Sequence, residues 1–238
     1  MNTYVIGDIH GAYKALEQCI ERSGIDKDSD RLICLGDVAD SWPEVPECFD
    51  KLLEFKQLDF ILGNHDYWLL EWFRTRYTPH IWTSQGGKAT LEAYERLMNM
   101  MEFDRMDKHQ ELLEKALYYL IDDKNRVFVH GGINWHIPLK ENNNHDLMWD
   151  RKMVEIAYWW ERRLPEEKFK DYEEIFVGHT TTSWHQKDLK PVHASNLWNL
   201  DQGAGWEGKL TLMDVDTKEY WQSDNVNDLY PNYRGRKL

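Results

Sequence analysis

Asp, His and Asn residues gather where short apolar runs of this sequence end. Residues 4–6 run into Gly7-Asp8-Ile9-His10-Gly11, and residues 31–35 run into Gly36-Asp37-Val38-Ala39-Asp40. Residues 58–62 meet Gly63-Asn64-His65-Asp66, residues 126–129 meet His130-Gly131-Gly132, and residues 174–177 meet Gly178-His179-Thr180. Carboxylate, imidazole and amide groups together suit divalent ions of hard or borderline character, such as Mn, Fe or Zn. The glycines permit tight turns and close backbone approach. Any one of these turns is a weak signal, because a lone Gly-Asp is usually a turn and a lone His is usually structural or solvated. The set is stronger, since apolar strands do not often end in buried, unpaired charge.

Apolar spacing shows which elements carry these turns. The runs at 4–6, 31–35 and 58–62 read as buried strands. Between the first two, Ala12, Ala15, Leu16, Cys19 and Ile20 have helical spacing, with Gly24 as a stop. Pro43 or Pro46 opens a second helix that carries Phe49, Leu52, Leu53 and Phe55. Strand, helix, strand, helix, strand implies a parallel sheet with right-handed crossovers. In such a sheet, sites form at the carboxyl ends of the strands. Residues 67–115 read as mostly helical, rich in Trp, Tyr and Met, with a break at Gly86-Gly87. They form a helical cap between sheet strands, and residues 148–164 form a second helical segment. Asn142, Asn143 and Asn144 mark a loop. The tail alternates at 210–215 and again at Tyr220-Trp221, an antiparallel hairpin with its turn at 216–218. No repeat or flexible linker interrupts the chain, so one domain spanning 1–238 is expected.

Composition narrows the function classes. The chain has 238 residues and is 42% hydrophobic, enough for a sizeable core. Lys plus Arg is 29 against 42 for Asp plus Glu, a net charge of -13, which argues against tight binding to long nucleic acid. Metal ions could still hold a small phosphate, because they bring their own positive charge. Cys19, Cys34 and Cys48 do not form a disulfide pattern, and Cys34 reads as plain core. Neither a signal peptide nor an apolar run of membrane-spanning length is visible, so the cytoplasm is the expected location and no membrane partner is expected.

Taken in order, GDIHG, GDxxD, GNHD, HGG and GHT resemble the calcineurin-like metallophosphoesterase superfamily, and within it the bacterial and phage-type phosphoprotein phosphatases. The resemblance covers roughly residues 4–214, including Leu200-Asp201-Gln202-Gly203-Ala204, which is similar to the family's closing strands. It implies an α/β fold: a four-layer central β-sandwich flanked by helices, with the helical cap inserted near residues 67–115. It also implies two divalent ions, Mn first, with Fe, Zn or Ni as alternatives. Carried over residue by residue, Asp8 and His10 would bind one ion and Asp37 would bridge both. Asn64, His130 and His179 would bind the second. His65 would serve as the acid for the leaving group, and Asp40 would orient it. Two ions at roughly 3.5–4 Å can clamp a phosphoryl group and acidify a shared water, and the resulting hydroxide would attack phosphorus in line. Imidazole is well matched to protonating the leaving oxygen near neutral pH.

The sequence departs from that family where arginines usually grip phosphate. Ser41 follows Asp40 in place of one, and Leu62 precedes Gly63 in place of the other. Neither can replace a guanidinium fork. Arg151, in Trp149-Asp150-Arg151, reads either as a substitute grip or as a helix-surface salt bridge. Trp42 stands beside the expected site and could stack on an aromatic or nucleobase leaving group. Asn134, Trp135 and His136 read as ordinary loop residues more readily than as rim. His80, His109, His145, His185 and His193 lack ligand spacing and are expected to be exposed. Trp68, Trp72, Trp82, Trp159 and Trp160 are expected to pack, and 166–168 to be a solvated face. Hydrolysis of a phosphomonoester, on a phosphoprotein or a small metabolite, is the leading functional reading. The alternative is a phosphodiesterase or nucleotide hydrolase of the diadenosine tetraphosphatase or cyclic-nucleotide type. A non-catalytic metal-bound scaffold is the third. Oligomeric state stays open.

Overall fold

The structure is a computed structural model that describes residues 1–184, 187–233 and 235. His185, for which exposure was expected, lies outside the described residues. Two five-stranded mixed sheets form the centre. The first has the order β10-β9-β1-β2-β3, built from β1 (Thr3–Ile6), β2 (Arg31–Cys34), β3 (Gln57–Phe60), β9 (Thr211–Asp214) and β10 (Tyr220–Gln222). The second has the order β4-β5-β6-β8-β7, built from β4 (Tyr119–Ile121), β5 (Arg126–Val129), β6 (Glu174–Val177), β7 (Val192–Ala194) and β8 (Leu197–Asn199). β1, β2 and β3 run parallel, and so do β5, β6 and β8. β9 and β10 close the first sheet as the expected antiparallel hairpin.

Strand alternation assigns each side chain to a layer. Tyr4, Ile6, Leu32 and Cys34 face one core together with the helices, while Val5 and Ile33 face the other sheet. On the second sheet Val127, Val129, Ile175 and Val177 face outward onto helices, and Phe128 and Phe176 face inward. Those two rings stack at 4.9 Å between the sheets, and truncating either to Ala should cost about 3–5 kcal/mol. The resulting order of layers, helix, sheet, sheet, helix, is the four-layer sandwich that the resemblance implied.

The helices follow the apolar spacing. α1 (Tyr13–Ser23) ends at Gly24 in a left-handed cap whose N–H donates to the Ile20 carbonyl. α2 (Val45–Leu53) starts with Pro46 in its first turn. The cap between β3 and β4 comprises α3 (Asn64–Thr75), α4 (His80–Trp82), a kinked turn at Thr83–Gly87, α5 (Lys88–Asn99) and α6 (Phe103–Glu114). Its backbone leaves helical geometry at Gln85 and Gly86, the break foreseen at Gly86-Gly87. Residues 148–164 are not one helix. α7 (Asn144–Trp149) stops, and Asp150 accepts from the Met153 N–H to start α8 (Lys152–Arg163). A short helix, α9 (Val226–Leu229), follows β10. The strands β4, β7 and β8, three residues each, carry too short a pattern to be read from sequence. Among the described residues, no helix is long and apolar enough to cross a membrane.

Candidate metal centre

The turns after β1, β2, β5 and β6, and the start of α3 after β3, converge on one rim of the sandwich. A cavity of about 270 Å³ opens there, and Asp8, His10, Asp37, Asn64, His65, His179 and Arg151 line it. Asp37 belongs to two groups of donor atoms, one with His10 and His65 and one with His130 and His179. Its Oδ2 lies 3.7 Å from His10 Nε2, 3.3 Å from His130 Nε2 and 4.0 Å from His65 Nε2. Asp8 Oδ2 lies 3.9 Å from His10 Nε2, and Asn64 Oδ1 lies 3.1 Å from His130 Nε2. Five other predicted ligands and His65 thus gather around the Asp37 carboxylate.

Ring orientation comes from the backbone behind each imidazole. His10 Nδ1 bonds the Ala39 carbonyl at 2.9 Å, and His130 Nδ1 bonds the Leu35 carbonyl at 2.8 Å. Both bonds leave Nε2 turned toward Asp37, the usual way an imidazole is oriented for an ion. His65 Nδ1 bonds Asp40 Oδ2 at 2.5 Å, so the structure brings these two residues together. Strain collects here as well. His10, Asp37, Asp40, Ser41 and His179 all have positive φ, a conformation that costs an L-residue energy and clusters at functional sites. Two glycines make room for the carboxylates. A Cβ on Gly178 would stand 2.1 Å from Asp8 Oδ1, and one on Gly63 would stand 2.2 Å from Asp37 Oδ1.

The donor set fits divalent cations. His179 Nε2 is buried and has no hydrogen-bond partner among the described residues. Burial, reinforced by the charge of Asp201, pushes the Asp8 carboxyl well above its ordinary range. Burial also raises Asp201 to about 6 and, together with the charge of Asp37, raises Asp66 to about 7. Burial opposes ionisation of Asp37 too, but His130, His65 and His10 overcome it and hold that carboxyl well below its usual range. Crowded carboxylates that resist ionisation, with an unpartnered imidazole nitrogen among them, form an environment that cations stabilise.

Several expectations are corrected here. Trp42 does not face the cavity. Its ring is fully buried, stacks on Tyr230 at 5.1 Å and donates from Nε1 to the Ala204 carbonyl. The carboxyl-terminal residues Tyr230 and Tyr233 cover it, so it turns inward. His109 is buried rather than exposed, between the Tyr94 hydroxyl and Asp50. Trp68 does more than pack: it lines the cavity, edge-on to His65 and to Trp149. Ser41 and Leu62 are buried outside the cavity lining, as expected of residues that grip no phosphate. Arg151 lines the cavity, held by a bond from its Nη1 to the His179 carbonyl.

Sequence reasoning gave no role to Asp201, Trp149 or Trp206, which line the cavity, or to Asp66. Asp66 accepts from the N–H groups of Val38, Ala39 and Gly63 and ties the second turn to the third. For Asp201 a signal existed: it follows a β-strand, as the other turn carboxylates do, but that strand is β8. Asn134, Trp135 and His136 are absent from the cavity lining, in keeping with ordinary loop residues.

Comparison with known proteins agrees with this geometry. The family model described as calcineurin-like phosphoesterase matches residues 1–213, and the chain belongs to that family. It is accordingly a metal-dependent phosphoester hydrolase. A symmetrical bis(5'-nucleosyl)-tetraphosphatase of Coxiella burnetii (strain CbuG_Q212) is 26% identical, covering 93% of this chain and 92% of its own length. The asymmetrical bis(5'-nucleosyl)-tetraphosphatase PrpE of Bacillus cereus (strain ATCC 14579) is 23% identical, covering 87% of each. In fold, the chain matches the crystal structure of a proposed diadenosine tetraphosphatase with a TM-score of 0.63 at 17% identity, over 93% of this chain and 92% of that one.

Proposed function

We propose that this chain hydrolyses a phosphodiester or phosphoanhydride of a nucleotide, with two divalent ions, manganese first, held by Asp8, His10, Asp37, Asn64, His130 and His179. The observation that carries the substrate class is the cavity wall. Trp68, Trp149 and Trp206 line it, and among the described residues Arg151 is the one Lys or Arg in the lining. A phosphomonoester dianion exposes more oxygens and more charge than one guanidinium can grip. An internal phosphate exposes fewer, and indole faces suit the attached base. The tetraphosphatases among the relatives support the same choice.

When bound, the ions supply charge neutralisation and a water acidic enough to attack near neutral pH. Arg151 holds a non-bridging phosphate oxygen, its fork anchored at the His179 carbonyl. Asp40 holds His65 through Nδ1, so Nε2 faces the cavity and can give its proton to the leaving oxygen. The tryptophans exclude water and receive the base.

Metal-stripped protein, tested with and without Mn²⁺, should regain activity only with the ion. It should then prefer diadenosine tetraphosphate and bis-p-nitrophenyl phosphate over p-nitrophenyl phosphate. Preference for the monoester would overturn the substrate class and restore the phosphomonoesterase reading. Full activity without metal would overturn the centre itself.

A further inference from the structure

The carboxylate of Asp40 receives donors besides His65, and both come from the helical cap. Trp82 Nε1 lies 2.9 Å from Oδ1 and 2.8 Å from Oδ2, so its N–H points between the two oxygens. Thr90 Oγ1 lies 2.6 Å from Oδ1 and accepts the Asp40 N–H at 2.9 Å. Because that hydroxyl already accepts from the backbone, its single proton goes to the carboxylate. Asp40, Trp82 and Thr90 are all fully buried. The indole is itself confined, since a Cβ on Gly87 would stand 2.6 Å from Trp82 Nε1. The kink between the two residues, at Gln85 and Gly86, is tied back to the site by a bond from the Ser41 N–H to the Gly86 carbonyl.

We propose that Trp82 and Thr90 are positioning residues for proton transfer, fixing both oxygens of Asp40 so that His65 presents Nε2 to the leaving oxygen. The inference rests on the reading of His65 as the acid. A buried carboxylate with one partner can rotate about its terminal torsion. With an indole N–H and a hydroxyl on its oxygens, its plane is set, and the imidazole plane follows. Neither cap residue lines the cavity, so each acts through Asp40. The same short segment places Ile81 and Gln85 in the cavity lining. The cap therefore joins the cavity wall to the residues that hold Asp40.

The test is leaving-group dependence. As the P–O bond breaks, p-nitrophenolate departs without a proton, whereas phenolate needs the one from His65 Nε2. Thr90→Val, Thr90→Ser, Trp82→Phe and His65→Ala are compared with wild type as Mn²⁺-loaded full chains. The probes are p-nitrophenyl and phenyl phosphate and the p-nitrophenyl and phenyl esters of thymidine 5′-phosphate, using whichever pair the wild type turns over. Thr90→Val and Trp82→Phe should slow the phenyl ester about 10- to 100-fold, the scale of a small misplacement. They should leave the p-nitrophenyl ester within about threefold. Thr90→Ser keeps the hydroxyl and should behave as wild type, and metal content should not change in any of these. Equal losses on both esters, or none, would overturn the inference if His65→Ala still discriminates between them. If His65→Ala itself slows both esters equally, the reading of His65 fails, and the inference fails with it. Thr90→Val keeps the shape of the side chain, so a misfolded Trp82→Phe would leave the question decided by Thr90.

Discussion

The rim built by the first sheet and the rim built by the second differ in how fully they satisfy themselves. On the first, Ile9 and His10 donate to the Asp37 carbonyl, Asp66 gathers the N–H groups of Val38, Ala39 and Gly63, the His65 N–H donates to Asp37 Oδ1, and among its described residues Ser41 Oγ alone is buried without a partner. On the second, His179 Nε2, Thr180 Oγ1, Thr182 Oγ1 and Gln202 Oε1 are buried without a partner among the described residues. Buried polar atoms left unpaired are costly. The first rim is therefore more fully bonded within the chain than the second.

Asp37 sits on the first rim but stands in the donor groups of both, so its loss should break both. Asp37→Ala is expected to bring metal content to background and turnover below detection, read by metal analysis and a turnover assay. Retention of one ion per chain would show that the rims bind independently. Next in size, His65→Ala should slow turnover of a substrate whose leaving oxygen needs a proton, such as the phenyl ester, about 10²–10⁴-fold while keeping the metals. Loss of metal in that variant would move His65 into the ligand set, a place its 4.0 Å distance from Asp37 Oδ2 also permits. Arg151→Ala touches only the second rim. A charge-assisted bond contributes about 1.5–3 kcal/mol, so kcat/KM should fall about 10- to 100-fold with metal content unchanged. No change would return Arg151 to the salt-bridge reading.

Chelation sharpens the comparison without a substitution. Amide exchange should rise more at residues 179–183 than at 37–42 when the ions are removed. Equal rises would erase the distinction between the rims. The smallest expected effect is a pH dependence of the metal-free protein. Burial raises Asp66 to about 7 and Asp201 to about 6, so between about pH 4 and 7 the folded state binds more protons than the unfolded state. Stability then falls as pH rises through that window. His179, whose pKa burial lowers, contributes the opposite slope up to its unfolded value near 6.5, and two carboxyls outweigh it. The melting temperature of metal-stripped protein should be higher at pH 5 than at pH 7.5, and Mn²⁺ should abolish the decline. A rise over the same interval would contradict the assignment of these carboxyls.

Much of the site was legible because its ligands sit next to the strands that carry them. Asp8 two residues past Ile6, Asn64 at the first turn of α3 and His179 two past Val177 are placed by local pattern, since a strand delivers its terminal residues to the sheet edge. The same pattern failed at Asp201, because β8 has three residues and offers no readable alternation. It failed for the tryptophans for another reason. An indole is equally at home in a core or on a wall, and composition does not separate the two. Trp42 was expected at the site and is buried; Trp68 was expected to pack and lines the cavity.

From the sequence alone follow the α/β class, the parallel order of the first strands, the closing hairpin and the identity of the metal-type donors, because periodicity and strand ends are local properties of the chain. Tertiary structure alone decided which bulky side chains face the cavity and which groups hold Asp40. Tyr230 covers Trp42, and Trp82 and Thr90 reach Asp40 from a cap far along the chain. Such contacts depend on which remote segment arrives at a given face, and no local pattern encodes that arrival.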